Sequence, residues 1–272
     1  MMYRLFDSLT HIKKDLIWYK TSKKADPRDL KLFFNAQEIS GSVIACMPDD
    51  DLGFIIETID EDLPFCKLVV CVSPEWLNLS FSELCKKLQI LKNQKSIIGI
   101  KIHPRFCGIP LENIDYIKVL IAAAKHVGML VYICTLLRKP VHPNSDSPNI
   151  LIKKILDLNP DGDADIVLLH GGYTDILATS EVVRDYEGVW LDLSFTFMRF
   201  RKSSLALDIG YLFETLDEKC VIGTDYPECT PMELIDNLKY YVFDRSDLNL
   251  NETKIKAVLN DNMKRLVDKY GL

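Results

Sequence analysis

Short apolar segments rich in β-branched residues alternate along the chain with longer segments of helical periodicity. Most of the apolar segments are continuous runs, such as SIIGI, DIVLL and KLVVCV, rather than strict alternations of apolar and polar residues. Continuous runs are typical of strands that are buried on both faces, as in a parallel sheet covered by helices. The pattern predicts eight strands, at Tyr3–Phe6, Ser42–Cys46, Lys67–Val72, Ile97–Ile102, Met129–Cys134, Asp165–Leu169, Val189–Leu193 and Cys220–Gly223.

The helical segments fall between these strands and after the last one, and two of them carry boundary signals. Ser80-Phe81-Ser82-Glu83 resembles a capping box at a helix start. Gly128 follows the segment IAAAKHV, at a place where a left-handed residue commonly ends a helix. The predicted helices are Asp29–Ile39, Phe81–Lys92, Leu111–His126, Asn149–Leu158, Tyr173–Tyr186, Leu205–Leu216, Pro231–Phe243 and Glu252–Tyr270.

Eight strand–helix units in a chain of 272 residues predict an α/β protein with a (β/α)8 barrel, the TIM-barrel fold. A doubly wound open sheet is the main alternative. It is disfavoured because no G-x-G-x-x-G or G-x-x-x-x-G-K-[ST] segment follows any predicted strand. Neither a linker nor a low-complexity segment interrupts the pattern, so we expect residues 1–272 to form a single domain.

Polar side chains follow the apolar bodies of six of the eight predicted strands, at the end of a barrel where active sites lie. Since side chains alternate along a strand, Leu5, Asp7, Leu9 and His11 would share one face if the first strand extends that far. Loops are polar in most proteins, so one position alone says little, but the whole set predicts one convergent pocket. The set comprises Asp7, His11, Lys101, His103, Tyr132, Cys134, His170, Asp192, Ser194 and Asp225.

Composition and charge argue against several classes of protein, namely nucleic-acid-binding, membrane and secreted proteins. The formal net charge is −6 and the pI about 5.5, which argues against a nucleic-acid-binding or membrane-binding protein. The longest apolar runs fall well short of the roughly 20 residues that span a bilayer. The eight cysteines form no C-x-x-C pair, and the N-terminal segment carries charges too early for a secretory signal. We therefore expect a cytoplasmic protein with reduced thiols and a small-molecule substrate; a homo-oligomer stays an open alternative.

The motifs, taken in order, resemble the amidohydrolase-related family, the metal-dependent TIM-barrel hydrolases and decarboxylases. FDSLTHI resembles the family's opening D-x-H-x-H segment, and GIKIHP and VLLHGG match its fourth-strand and sixth-strand motifs. VWLDLSF and VIGTDYP match the seventh and eighth strands, and LNDNMKRLVDKYG resembles the closing N-A-x-R-L-F helix. The resemblance covers most of the chain and implies a TIM-barrel hydrolase that uses a divalent metal.

The resemblance also implies roles for particular residues. His11 would be the second histidine of the first-strand pair and a metal ligand. His170 would be a ligand or a general acid/base. Asp225 would bind the metal, take a proton from the attacking water, or both. Lys101 and His103 would line the pocket and contact the substrate.

Two positions depart from the family pattern. The first histidine of the pair falls on Leu9, which cannot ligate a metal, and the fifth-strand histidine falls on Cys134. Catalytic zinc uses three protein ligands and an open position for water. Together with Cys134, whose thiolate is a good zinc ligand, the remaining side chains predict an altered zinc site. Its ligands would be His11, Cys134, His170 and Asp225.

Three functions stay open at this point. The first is a metal-dependent hydrolase of a small ester, lactone, amide or carboxylate substrate. The second is a metal-independent, lactonase-like hydrolase with Asp225 as the base, in which Lys101, His103 and His170 stabilise an oxyanion. In this reading Arg199, in SFTFMRFRKS, binds an anionic substrate. The third is a degenerate barrel that only binds, which the loss of two expected ligands favours.

Overall fold

A barrel of parallel strands is the centre of the computed structural model, which describes residues 4–19, 21–136, 148–157, 164–241, 245 and 247–271. Within them, eight strands lie side by side in chain order, and each neighbouring pair is parallel. The strands are β1 (Leu5–Thr10), β2 (Ile39–Ala45), β3 (Cys66–Cys71), β4 (Ile97–Ile102), β5 (Leu130–Cys134), β6 (Ile166–Leu169), β7 (Val189–Asp192) and β8 (Cys220–Val221).

Contacts between β1 and the β8 region bring the two ends of the sheet together. The amide of Ser8 donates to the carbonyl of Ile222 at 3.3 Å, and Thr10 pairs with Tyr226 in a parallel bridge. The amide of His11 also donates to the carbonyl of Tyr226 at 2.9 Å. The predicted (β/α)8 barrel is therefore confirmed.

Helices surround the strands, and local signals fix their ends. The capping box at Ser80 and Glu83 is present as predicted, and Gly128 is left-handed at φ 73°. The helices are α1 (Pro27–Asn35), α2 (Leu52–Asp62), α3 (Phe81–Lys92), α4 (Ile114–Val127), α5 (Pro148–Leu156), α6 (Ile176–Arg184), α7 (Thr196–Arg199), α8 (Leu205–Thr215), α9 (Pro231–Lys239), α10 (Glu252–Lys256) and α11 (Asn262–Tyr270).

Side chains of each strand alternate between the barrel interior and the layer that contacts the helices. In β2, for example, Val43 and Ala45 pack inside the barrel, whereas Ile44 packs in the outer layer. β1 departs from this alternation because its pairing with β2 shifts register twice. As a result Leu5 packs in the outer layer and Leu9 inside the barrel, so the prediction that they share a face was wrong.

Several predicted boundaries also change. β1 reaches Thr10 rather than ending at Phe6, and α1 ends at Asn35. A turn of π-helix separates α10 from α11, where one continuous helix was predicted. All eight cysteines are free thiols. None of the helices in the described ranges is both long enough and apolar enough to cross a membrane.

Candidate active site

A cavity of about 250 Å³ opens at the C-terminal ends of the strands. It contains the cationic and imidazole side chains that follow β1, β4 and β6, together with carboxylates that follow β8. Aromatic side chains form much of its remaining wall. The lining residues are His11, Trp18, Tyr19, Thr21, Met47, Lys101, His103, Arg105, Phe106, Leu136, His170, Phe195, Asp225 and Glu228.

His11 and Asp225 form a pair at one side of the cavity, although 214 residues separate them in sequence. The imidazole Nδ1 of His11 lies 2.6 Å from the carbonyl oxygen of Ala45, so this nitrogen carries a hydrogen and donates it. Nε2 then faces Oδ1 of Asp225 at 3.2 Å. The carbonyl thus fixes which nitrogen of His11 is available to the cavity.

The electrostatics of this pair favour a carboxylate and a neutral imidazole. Burial, and then the ammonium group of Lys101, lower the pKa of His11. Burial alone would raise the pKa of Asp225, but the hydrogen bond with His11 and the charge of His170 lower it to about 2. Because Nδ1 donates to Ala45, Nε2 forms its hydrogen bond with the carboxylate only when the imidazole carries a second hydrogen. The two atoms are therefore placed to share one additional proton.

His170 and Cys134 form a second group, with His103 on the other side of the thiol. Burial opposes ionisation of Cys134, yet the nearby imidazoles hold the pKa of its thiol well below the usual range. Burial would also lower the pKa of His170, but the charge of Cys134 and the hydrogen bond to it raise this pKa to about 9. His170 Nδ1 donates to the carbonyl of Ser194 at 3.0 Å. His170 is thus protonated at neutral pH.

Two polar groups at the cavity lack a strong partner. Lys101 is 2% exposed, and its ammonium nitrogen donates to Met47 Sδ at 3.6 Å, a weak acceptor. No ion pair between described residues includes Lys101 or Arg105. His103 Nδ1 is buried with no hydrogen-bond partner in the described part of the chain. A buried ammonium without a counter-ion is costly, so this wall of the cavity favours an anionic ligand.

Strained backbone marks the strand ends that supply the site. His170, Phe195 and Asp225 all have positive φ, at 66°, 61° and 51°. Positive φ costs about 1–3 kcal/mol for such residues and tends to occur at functional sites. Buried carboxylates beneath the cavity stabilise the backbone next to these residues. Asp192 accepts the amide hydrogens of His170 and Ser194.

Asp7, on β1, plays the same role for the turn that follows β8. Its carboxylate accepts the amide hydrogen of Thr224 at 2.9 Å and the hydroxyl hydrogen of Thr224 at 2.7 Å, and so fixes the turn before Asp225. Burial raises the pKa of Asp7 to about 7, although the two hydrogen bonds from Thr224 lower it. Neither Asp7 nor Asp192 lines the cavity, and both act through the residues that do.

Three of the four side chains predicted as metal ligands, His11, His170 and Asp225, line the same cavity. The fourth, Cys134, is buried next to His103 and His170. Across the described ranges, no three His, Cys, Asp or Glu side chains are arranged to hold a metal ion. Leu9 is fully buried inside the barrel at the position of the missing histidine. Because catalytic zinc needs three protein ligands, the donors present do not fit such a centre.

The structure also changes the predicted substrate contacts. Lys101 and His103 line the cavity as expected, but Arg199 lies exposed at the end of α7, outside the cavity lining. Arg105, two residues after His103, lines the cavity instead and packs its guanidinium on the ring of Phe106. The sequence could have indicated this role, because Arg105 directly follows the GIKIHP motif at the end of the fourth strand. Glu228 and Trp18 were also missed, because only folding brings their loops together.

Comparison with known proteins agrees with the fold. The family model described as Amidohydrolase matches residues 67–269. No curated protein matches the chain. Among solved structures, a probable 2-pyrone-4,6-dicarboxylic acid hydrolase from Acinetobacter baumannii with bound citric acid superposes with a TM-score of 0.68 at 15% identity. This match covers 97% of this chain and 99% of that one.

Two further structures show the same architecture. A zinc-bound amidohydrolase from Burkholderia multivorans has a TM-score of 0.70 at 12% identity, covering 97% of this chain and 99% of that one. The IDCase of Metarhizium anisopliae has a TM-score of 0.63 at 14% identity, covering 98% and 97%. At such identities these likenesses show the fold, whereas the family model spans most of the sequence. The chain is therefore a member of the amidohydrolase family and a hydrolase-type enzyme with a TIM-barrel fold.

Proposed function

We propose that the protein hydrolyses a small ester or lactone that carries a carboxylate, and that it does so without a metal ion. The observation that carries this proposal is the buried ammonium group of Lys101, whose recorded hydrogen-bond partner is a thioether. The Asp225 carboxylate lies in the same cavity but forms no direct ion pair with this ammonium group, so an anionic substrate could take that place. Arg105 is a second cation at the same cavity, and Glu228 is already paired with Lys23 at 3.0 Å.

The His11–Asp225 pair would accept a proton from the attacking water. A lone carboxylate with a pKa of about 2 is a weak base, because proton acceptance is most effective when the pKa lies near the working pH. Nε2 of His11 is the better acceptor, since Oδ1 of Asp225, 3.2 Å away, forms a hydrogen bond with the imidazolium that results. The pair therefore takes up the proton at His11, and the carboxylate stabilises the charge.

His170 would act as the proton donor. Its pKa of about 9 keeps the imidazole charged at neutral pH, and the charged form is the one that a leaving alkoxide needs. In the reaction, the water oxygen bonds to the carbonyl carbon and gives its proton to the His11–Asp225 pair. The ester C–O bond then breaks, and the leaving oxygen takes the proton of His170. Transfer of the pair's proton back to His170, directly or through water, restores both groups.

Lys101 and His103 would stabilise negative charge on the carbonyl oxygen during attack. Both are fixed in place before substrate arrives, because β4 and its end hold them in the buried wall. Preorganised donors of this kind in a site of low dielectric give large rate enhancements. The Acinetobacter baumannii structure, with its bound citric acid and a name that specifies a dicarboxylic acid, adds support for an acidic substrate.

The test is a panel of lactones and esters in matched pairs, with and without a carboxylate group. We expect kcat/KM to favour the carboxylate member by at least about tenfold, as one charge-assisted hydrogen bond contributes roughly 1.5–3 kcal/mol. Lys101→Met should raise KM and remove most of this preference. Lys118→Met, an exposed change of the same type on α4, is the control and should leave both unchanged. Equal turnover of neutral and acidic substrates would refute the proposal.

A metal-dependent hydrolase is the second candidate, and one observation favours it. His11 and His170 each donate Nδ1–H to a backbone carbonyl, which is the arrangement that orients metal-binding histidines. Against it, no three His, Cys, Asp or Glu side chains in the described ranges are arranged to hold a metal ion. Turnover after removal of metal separates the two candidates.

A further inference from the structure

The connection between β1 and α1 folds over one side of the cavity. We name its described residues, 12–19 and 21–25, the β1–α1 flap. Ile17 and Lys24 pair in an antiparallel bridge, and the amide of Ala25 donates to the carbonyl of Leu16 at 3.1 Å. Trp18, Tyr19 and Thr21 of this flap line the cavity. The flap is thus a folded wall of the site.

Trp18 contacts His11 directly and is linked to Asp225 through Glu228. Its indole ring stacks on the imidazole of His11, with ring centroids 4.7 Å apart and an interplanar angle of 26°. Its Nε1–H donates to Glu228 Oε1 at 2.9 Å. The amide of Glu228 in turn donates to the carbonyl of Asp225 at 2.8 Å. One side chain therefore connects the imidazole to the loop that carries its carboxylate partner.

Lys23, which also belongs to the β1–α1 flap, binds Glu228 as well. Its ammonium group donates to the Glu228 backbone carbonyl and, at 3.0 Å, to Oε2 of the same residue. Glu228 thus has one carboxylate oxygen on the indole and the other on the ammonium group. Trp18 is 6% exposed and the Glu228 side chain 29% exposed, so the hydrogen bond of the indole is partly shielded from water.

We propose that Trp18 is a positioning residue, which keeps Nε2 of His11 aimed at Asp225, and that Glu228 holds Trp18 in place. We call the pair the Trp18–Glu228 latch. The inference rests on the proposed function insofar as the His11–Asp225 pair accepts the proton. The hydrogen bonds of the imidazole lie in the plane of its ring and do not prevent tilting about the axis that joins them, whereas the stacked indole face limits that tilt. Misplacement of a reacting group by about 1 Å can cost roughly 100-fold in rate.

The experiment compares three variants by two independent readouts. Trp18→Leu removes the stacking and the indole N–H, Trp18→Phe keeps an aromatic face without the N–H, and Glu228→Leu removes the acceptor. The first readout is the imidazole ¹⁵N and ¹³C NMR signals of His11, identified by their loss in a His11→Asn protein. The second is kcat and KM on the best substrate.

We expect Trp18→Leu to shift or broaden the His11 signals and to lower kcat by about tenfold or more. Trp18→Phe should recover part of both, and Glu228→Leu should resemble Trp18→Leu. Ile17→Ala is the matched control: Ile17 lies on the same flap with 58% of its surface exposed, and its replacement should change neither readout.

Unchanged His11 signals and kcat in folded Trp18→Leu would overturn the latch. If that variant does not fold, Glu228→Leu decides the question, because it leaves the indole in place. Shifted His11 signals in a protein that hydrolyses none of the panel would support the latch and refute the proposed function. A kcat loss of equal size in Ile17→Ala would show a general effect of the flap and would also overturn the latch.

Discussion

Replacing Asp225 by asparagine removes one charge with almost no change in volume, and it tests the proposed base directly. The carboxylate lies against His11, and its pKa is about 2 instead of 3.8. A difference of this size corresponds to about 2 kcal/mol of folding free energy, at 1.36 kcal/mol per pKa unit. Asp225→Asn should therefore lower the free energy of unfolding by about 2 kcal/mol at pH 7.

The pH dependence of this stabilisation has a defined direction. Because the pKa of Asp225 is lower in the folded protein, the stabilisation is complete above about pH 4 and declines as the pH falls towards 2. At pH 3 the stability difference between wild type and Asp225→Asn should be about half that at pH 7. Urea unfolding at both pH values measures it. Asp60→Asn, an exposed change on α2, is the control for loss of one charge.

Activity provides the second measurement on the same variant. Loss of the carboxylate removes one of the two atoms that share the transferred proton, so kcat/KM should fall by about 10²–10⁴-fold. A variant with kcat/KM within a few fold of wild type, and with the stability of wild type at both pH values, would refute the role of Asp225 in the pair.

Two further predictions concern His170 and the barrel interior. Wild-type kcat/KM should fall as the pH rises through about 9, because His170 then loses the proton that it donates. His170→Gln should be weakly active with no such fall; an unchanged fall in that variant would assign it to another group. Gly223→Ala should destabilise by about 1–3 kcal/mol in thermal unfolding, because a methyl group there would lie 2.7 Å from Asp7 Oδ1 and from the Leu9 amide. Gly53→Ala, in α2 with 3.4 Å to its nearest neighbour, should be neutral or stabilising, and equal losses at both positions would contradict this packing argument.

The strand order and most strand ends could be predicted from the sequence because buried parallel strands are continuous apolar runs, and the polar residue that ends each run is visible. His170 and Asp225 were identified in this way. Helix α2 was missed since its Gly53 and its β-branched Ile55 and Ile56 are weak helix formers. Burial of Ile55 and Ile59 against the strands stabilises it instead.

The arrangement of the site was less accessible to sequence analysis. The register shifts in β1 arise from its pairing with β2. The local sequence pattern therefore does not indicate that Leu5 and Leu9 face different layers. The position of Arg199 just after the seventh strand suggested that it reaches the cavity, whereas Arg105, just after the fourth strand, is the arginine that lines it. The contact between Trp18 and Glu228 spans 210 residues and depends on barrel closure.

We propose above that the His11–Asp225 pair and His170 hydrolyse an acidic ester or lactone with no bound metal. The most direct measurement is kcat/KM on the preferred carboxylate substrate after exhaustive chelation, with residual metal quantified by mass spectrometry. The metal-free protein should retain its activity, and added zinc should not increase it. Loss of turnover on chelation, with recovery at one equivalent of zinc per chain, would contradict it.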